Sequence, residues 1–333
     1  MPASGVLDWA SQADDFQRAG AFPSRWSTQS DRLLLFAKFQ NNRNALGIAF
    51  MLPAAVLLVL FLTYPLGLGV WLGFTDTKIG RIGHFIGLEN YEYLFGDSVT
   101  RLALFNTIFY TVIASIFKFI LGLWLAILLN NHLPFKSFLR AAILLPFIVP
   151  TALSAIVFWW IYDSQFSIIS WVLVKMGLIH VYIDFLGDPW MARLSTIIAN
   201  VWRGIPFVAI SLLAGLQTIS PSLYEAAAID GATPWQRFRF VTLPLLTPII
   251  AVVMTFSVLF TFTDFQLIYV LTRGGPLNAT HLMATLSFQR AIPGGAMGEG
   301  AAIATAMVPF LLAAILFSYF GLQRRQWQQG AER

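Results

Sequence analysis

Three ionisable side chains, Lys118, Arg203 and Asp264, stand inside long runs that are otherwise almost free of charge. At bilayer depth an ionised group costs about 3 kcal/mol or more, so it pairs, faces a cavity or snorkels. Near Asp264 lie Thr261, Thr263, Gln266 and Tyr269. Their hydroxyl and amide groups suit a hydroxylated solute, and Ser and Thr equally serve as glue between helices. Trp159, Trp160 and Trp202 offer flat faces on which an apolar ring face can stack, but Trp also collects at membrane interfaces as an aromatic belt. The candidates for a solute pathway are Asp264, Thr261, Gln266, Tyr269, Trp159 and Lys118. For Asp264 two readings stand side by side: a pathway-lining carboxylate, or a buried partner for Arg203 or Lys118.

Other chemistries find no support. His84, His132, His180 and His281 are far apart and lack metal-ligand spacing. The absence of cysteine removes disulfides, thiolate metal sites and Cys nucleophiles together. A GxxxxGK[ST] phosphate loop is missing, so this chain is not expected to hydrolyse ATP in the P-loop manner. It reads as a non-enzyme that binds no cofactor or metal of its own.

These residues must be carried by membrane helices. Only 11% of the chain is charged and 57% is hydrophobic, against about a quarter charged in soluble domains. Apolar runs long enough to span a bilayer occur at 45–74, 102–129, 139–162, 194–216, 244–271 and 301–322. A weaker stretch at 168–181, with Lys175 and His180, reads as a helix at the interface. The expected fold class is an all-α integral membrane protein of about six transmembrane helices. Its parts are a polar tail (1–45), a membrane domain (46–323) and a short tail (324–333). No secretory signal is expected, because Asp8, Asp14, Asp15, Arg18 and Arg25 break up the first 30 residues.

Placing the N-terminus inside puts twelve Lys and Arg residues in inner segments and seven in outer ones. The positive-inside rule then sets both termini in the cytoplasm. It also accounts for the net charge of +5 without a nucleic-acid partner.

The same topology makes Ser220–Pro248 an inner loop, SPSLYEAAAIDGATPWQRFRFVTLPLLTP. Ser220 and Pro221 read as N-cap and first helical residue, and Gly231 suits a left-handed helix stop. Thr233, Pro234 and Gln236 form a capping box that opens a second helix.

Glu225-Ala226-Ala227, Asp230-Gly231-Ala232, Phe238 and Leu243-Pro244 resemble the EAA motif of binding-protein-dependent ABC importer permeases. Ile86-Gly87-Leu88-Glu89-Asn90-Tyr91 is similar to an element of the carbohydrate branch of that family. Trp202-Arg203 with Pro206-Phe207, Ala214-Gly215-Leu216-Gln217, and Thr272-Arg273-Gly274-Gly275-Pro276 with Thr280 resemble further elements of the branch. The last is typical of the first permease of a nonidentical pair, as in maltose and glycerol-3-phosphate uptake. These matches span about residues 50–322. Members often carry Asp where Gln266 stands, and the position of Lys118 is usually uncharged.

The resemblance implies an ABC type I importer transmembrane domain in a bacterial inner membrane. It implies a second permease, ABC ATPase subunits carrying ATP and Mg, and an extracytoplasmic solute-binding protein as partners. The segment 220–243 would dock on the ATPase through Glu225, Ala226, Ala227, Asp230, Gly231 and Ala232. Arg203, inside a family signature, reads as structural or gating. The alternative is an ion-gradient-driven secondary transporter, which leaves the inner helix–Gly–helix without a role.

Overall fold

The computed structural model describes residues 43–131 and 134–331, without the side chains of Ala45 and residues 322–331. The expected tail 1–45 falls almost wholly outside these residues, as does His132. The chain divides into two units, Met1–Leu68 and Gly69–Arg333.

Helix α1 (Arg43–Leu58) passes through a π-turn (Val59–Thr63) into α2 (Tyr64–Leu72), whose last four residues belong to the second unit. The turn has a local cause. Pro65 removes a donor and its ring would strike the carbonyl four residues back, so the preceding turn widens and Tyr64 N–H reaches Val59 O. The 27-residue segment Leu46–Leu72 is long and apolar enough to cross a bilayer, close to the expected 45–74.

The second unit is built from α3 (Glu89–Gly96), α4 (Ser98–Asn130), α5 (Lys136–Ile148), α6 (Thr151–Ile161), α7 (Ile168–Lys175) and α8 (Pro189–Leu216). It continues with α9 (Pro221–Ile229), α10 (Pro234–Arg237), a π-turn (Phe238–Thr242), α11 (Leu243–Phe262), α12 (Gln266–Leu271), α13 (Met283–Ala291) and α14 (Met297–Ala331). Five segments of the described chain can span a membrane, and the bent pair α5–α6 makes a sixth if counted as one.

Helices α4 and α8 form the centre. Lipid tails are as apolar as leucine, so membrane helices associate through close packing and polar contacts. The buried residues fit that rule: Ala103, Ala114, Ala126, Ala192, Ala199 and Ala209 are all fully or almost fully covered. Phe105, Ile108, Val112, Ile116 and Ile120 repeat at three and four residues along the exposed face of α4. Towards one end, Leu123, Leu129, Val208, Leu212 and Leu216 join Leu246 and Val253 of α11. Towards the other, Ala103 packs with Phe262, Met283, Leu286, Ala302 and Ile303.

Two expected spans are interrupted. The run 139–162 is not one straight helix: α5 and α6 meet at 89°. Pro150 pushes Val149 out of the helical region, to φ −63° and ψ 130°, and the chain turns there. The run 244–271 ends its first helix at Phe262 and resumes at Gln266, leaving Thr263, Asp264 and Phe265 outside regular helix. At the chain end, α14 continues to Ala331, through the stretch expected as a separate tail.

Candidate functional site

A cleft of about 430 Å³ opens where α4, α8 and α11 meet the interrupted segment 263–265. Lys118, Thr261, Asp264 and Gln266, four of the six pathway candidates, line it together with Asn200 and Arg203. Phe147, Phe207, Phe260 and Phe265 supply apolar and aromatic walls. Tyr269 does not line this cleft; it stacks on Phe265 with ring centroids 5.1 Å apart. Trp159 lies elsewhere, in a cleft of about 360 Å³ with Ile156, Thr272 and Arg273.

The break after Phe262 places Asp264 where three donors converge. The Tyr110 hydroxyl and Asn200 Nδ2 donate to Oδ2 over 2.8 Å and 2.9 Å, and Leu267 N–H donates to Oδ1 over 3.3 Å. A carboxylate receiving several donors tolerates partial burial that an unpaired one does not. Of the two readings of Asp264, the ion pair with Arg203 or Lys118 is not formed among the described residues. Ion pairs among the described residues involve Arg81 and Arg290 only.

Lys118 takes another route. Its side chain runs across Gly204 of α8, where a Cβ would overlap Lys118 Cδ. The ammonium then donates to Thr261 Oγ1 over 2.5 Å, and the Thr261 hydroxyl in turn donates to Ser257 O. Lys118 is only 4% exposed. Arg203 faces the same cleft, and its buried Nε has no hydrogen-bond partner. Asn200 Oδ1 is likewise buried and unpartnered.

Sequence reasoning missed Tyr110, Asn200 and Gly204. Polar residues on the buried stripe of α4 and α8 were the available signal, but a lone Tyr, Asn or Gly in a membrane helix has too many ordinary roles to stand out. No group of three or more potential metal-ligating side chains occurs among the described residues.

The loop 220–243 forms the expected helix, reversal and helix. Ala232 N–H bonds Ala227 O and Gly231 N–H bonds Ala228 O, a complete Schellman closure with Gly231 at φ +75°. Thr233 and Gln236 make both halves of the capping box. Ser220 differs from expectation. It occupies the N-cap, but its hydroxyl meets Ser222 Oγ and caps no backbone N–H. Tyr224 Oη and Thr242 Oγ1 lie 3.1 Å apart, tying α9 to the π-turn beneath it. Glu225, Ala226, Asp230 and Gly231 are exposed, Ala227 and Ala232 half-buried, and Ile229 beside them is 87% exposed.

At the opposite end, Asn90 Nδ2 donates to both Gly73 O and Thr75 O over 2.9 Å. Asp97 caps α4 through Thr100 and receives Arg290 at 3.0 Å. Thr272 and Thr280 hydroxyls lie 2.7 Å apart across the intervening Gly-Gly-Pro turn.

Comparison with known proteins matches residues 118–328 to the family described as binding-protein-dependent transport system inner membrane component. The chain is 34% identical over 255 residues to the trehalose/maltose transport system permease protein MalF of Thermococcus litoralis, covering 76% of this chain and 86% of that protein. It is 32% identical over 286 residues to the sulfoquinovosyl glycerol transport system permease protein SmoG of Agrobacterium fabrum, covering 85% and 88%. Its fold is similar to a crystal structure of a bacterial ABC transporter involved in import of the acidic polysaccharide alginate. The TM-score is 0.75 at 24% identity, over 87% of this chain and 98% of that one.

Proposed function

This chain belongs to the family of binding-protein-dependent transport system inner membrane components, in its carbohydrate-uptake branch, and from that premise we propose how it works. It forms half of the translocation pathway for a carbohydrate-type solute, paired with a second permease in a bacterial cytoplasmic membrane. An extracytoplasmic binding protein delivers the solute, and separate ATPase subunits carrying ATP and Mg drive the cycle.

The observation that carries the coupling step is the exposed α9. Its reversal is fixed by backbone hydrogen bonds, while Glu225, Ala226 and Ile229 remain free to meet another protein. Small alanines allow close backbone approach, and Glu225 supplies a charge that fixes register. The tie between Tyr224 and Thr242 gives a mechanical route from α9 into α11, and α11 carries Thr261. Nucleotide-driven closure of the ATPases would draw α9 inward and bias two arrangements of the helices around the cleft. The solute pathway is assigned to the cleft lined by Lys118, Thr261, Asp264 and Gln266. Tyr269 supports Phe265 from behind, and Trp159 is outside it. An ion-gradient mechanism gains nothing from the family assignment.

The test is co-purification of this chain with its neighbouring gene products, followed by ATPase assays with and without Gly231→Val. Recovery of an ATP-hydrolysing subunit whose activity is uncoupled from the solute by the substitution supports the reading. Recovery of no such subunit sinks it.

A further inference from the structure

The cleft holds more cationic donor capacity than the described residues satisfy. Lys118 and Arg203 both face it, and neither has a carboxylate partner among the described residues. The one carboxylate in the lining, Asp264, is already engaged by Tyr110, Asn200 and Leu267. An ammonium has three donors, and Lys118 uses one, on Thr261. Arg203 Nε uses none.

With Lys118, Arg203 and the single carboxylate Asp264 in its lining, the cleft carries one cation in excess, and a neutral solute would leave that charge without a counter-ion in a low-dielectric setting. Beside them, Asn200 Oδ1 is an acceptor without a donor. Its orientation follows from its neighbour, because Nδ2 must face the acceptor Asp264. The site thus presents cationic donors for an acid group and a carbonyl oxygen for a hydroxyl. Lys118 is also built in: the absence of a side chain at Gly204 is what lets its stem cross α8.

We propose that this cleft selects a saccharide bearing an acid group, with Lys118 and Arg203 holding the acid and Asn200 Oδ1 receiving a hydroxyl. The inference rests on the permease reading above and adds the charge of the solute and the residue that sets it. Lys118 is the specificity determinant. Charge-assisted hydrogen bonds to an acid oxygen are about twice as strong as neutral ones, so the preference should be large enough to measure.

The test uses the purified complex of this chain with its second permease and ATPase, and two probes that differ at one carbon, D-glucuronate and D-glucose. Titration calorimetry should show glucuronate binding at least about ten-fold more tightly than glucose. Lys118→Met should bring the two within about two-fold, while Lys118→Arg retains the preference. Gly204→Ala, which displaces the Lys118 stem without removing its charge, should also weaken it. Equal binding of the two probes by the wild-type complex, binding of neither, or a preference that survives Lys118→Met each overturns the proposal. If a second-permease carboxylate neutralises these cations, the result is equal binding, and the proposal falls. A complex that assembles and hydrolyses ATP but lacks the preference defeats this inference alone. Failure to assemble with any ATPase defeats the permease reading itself.

Discussion

The Tyr110 hydroxyl donates to Asp264 Oδ2 over 2.8 Å, joining residues 154 positions apart in the sequence. This bond ties the middle of α4 to the break between α11 and α12, and Asn200 of α8 meets the same oxygen. One carboxylate thus fastens three elements around the cleft. Tyr110→Phe removes one donor and leaves the ring, and should cost about 1–2 kcal/mol of stability. Asp264→Asn changes the group at the centre and should lower both stability and transport rate. Thermal stability in detergent and uptake in vesicles separate the two. A Tyr110→Phe protein as stable as wild type contradicts the fastening role, and unchanged uptake in Asp264→Asn reduces that residue to scaffold.

Asn90 has a comparable role at the opposite end of the second unit. Its side-chain amide donates to two backbone carbonyls, Gly73 and Thr75, and it is only 8% exposed. Replacing it by Leu preserves approximate size but leaves both carbonyls without their donor, at about 1–3 kcal/mol. Asn90→Leu should therefore lower the melting temperature of the purified protein. A melting temperature equal to wild type would mean that the two carbonyls find other donors.

How far the sequence carried the reading differs from place to place, for physical reasons. The loop 220–243 was legible almost residue by residue, because Gly231, Thr233, Pro234 and Gln236 act through local backbone geometry. The spans were legible because bilayer thickness fixes their length. The 89° bend at Val149-Pro150 was not, since a packed membrane helix often accommodates proline with only a kink. Asp264 stood out as a charge in an apolar run. Its three donors did not, because they come from Tyr110, Asn200 and the Leu267 backbone, and only tertiary packing brings those together. Residue type alone suggests Trp159 for the pathway, but α6 reaches the Asp264 cleft only with its first residue, Thr151, and Trp159 further along lines another.

Asp97 and Arg290 make a pH-dependent link. Burial pushes the Asp97 carboxyl up, but hydrogen bonds from Thr100 Oγ1 and N–H, with the Arg290 charge, pull it below its ordinary value. A carboxyl lowered by folding contributes stability that is present above its unfolded value, about 3.9. That contribution is lost as pH falls through the lower folded value. Asn still caps a helix, so Asp97→Asn isolates the charge and should cost about 1 kcal/mol at pH 7. The difference from wild type should shrink as pH falls below about 4. Melting curves across that range check it, and a pH-independent difference would assign the loss to packing.

Gly231 offers the sharpest test of the α9 reversal. At φ +75° it occupies a conformation that costs an ordinary L-residue roughly 1–2 kcal/mol, with Asn among the better tolerated. A Cβ built there meets nothing within 4 Å, so the penalty is in the backbone and not in crowding. A graded series should follow. Asn should keep most of the coupling between solute-dependent ATP hydrolysis and transport, Ala should lose part, and the β-branched Val should lose most. Amounts of inserted protein should stay equal across the series, because the strain falls on an exposed turn outside the helix core. Measuring ATPase stimulation and membrane yield for all three tests this ordering. Equal coupling in Asn, Ala and Val would mean that the left-handed turn is not what positions α9.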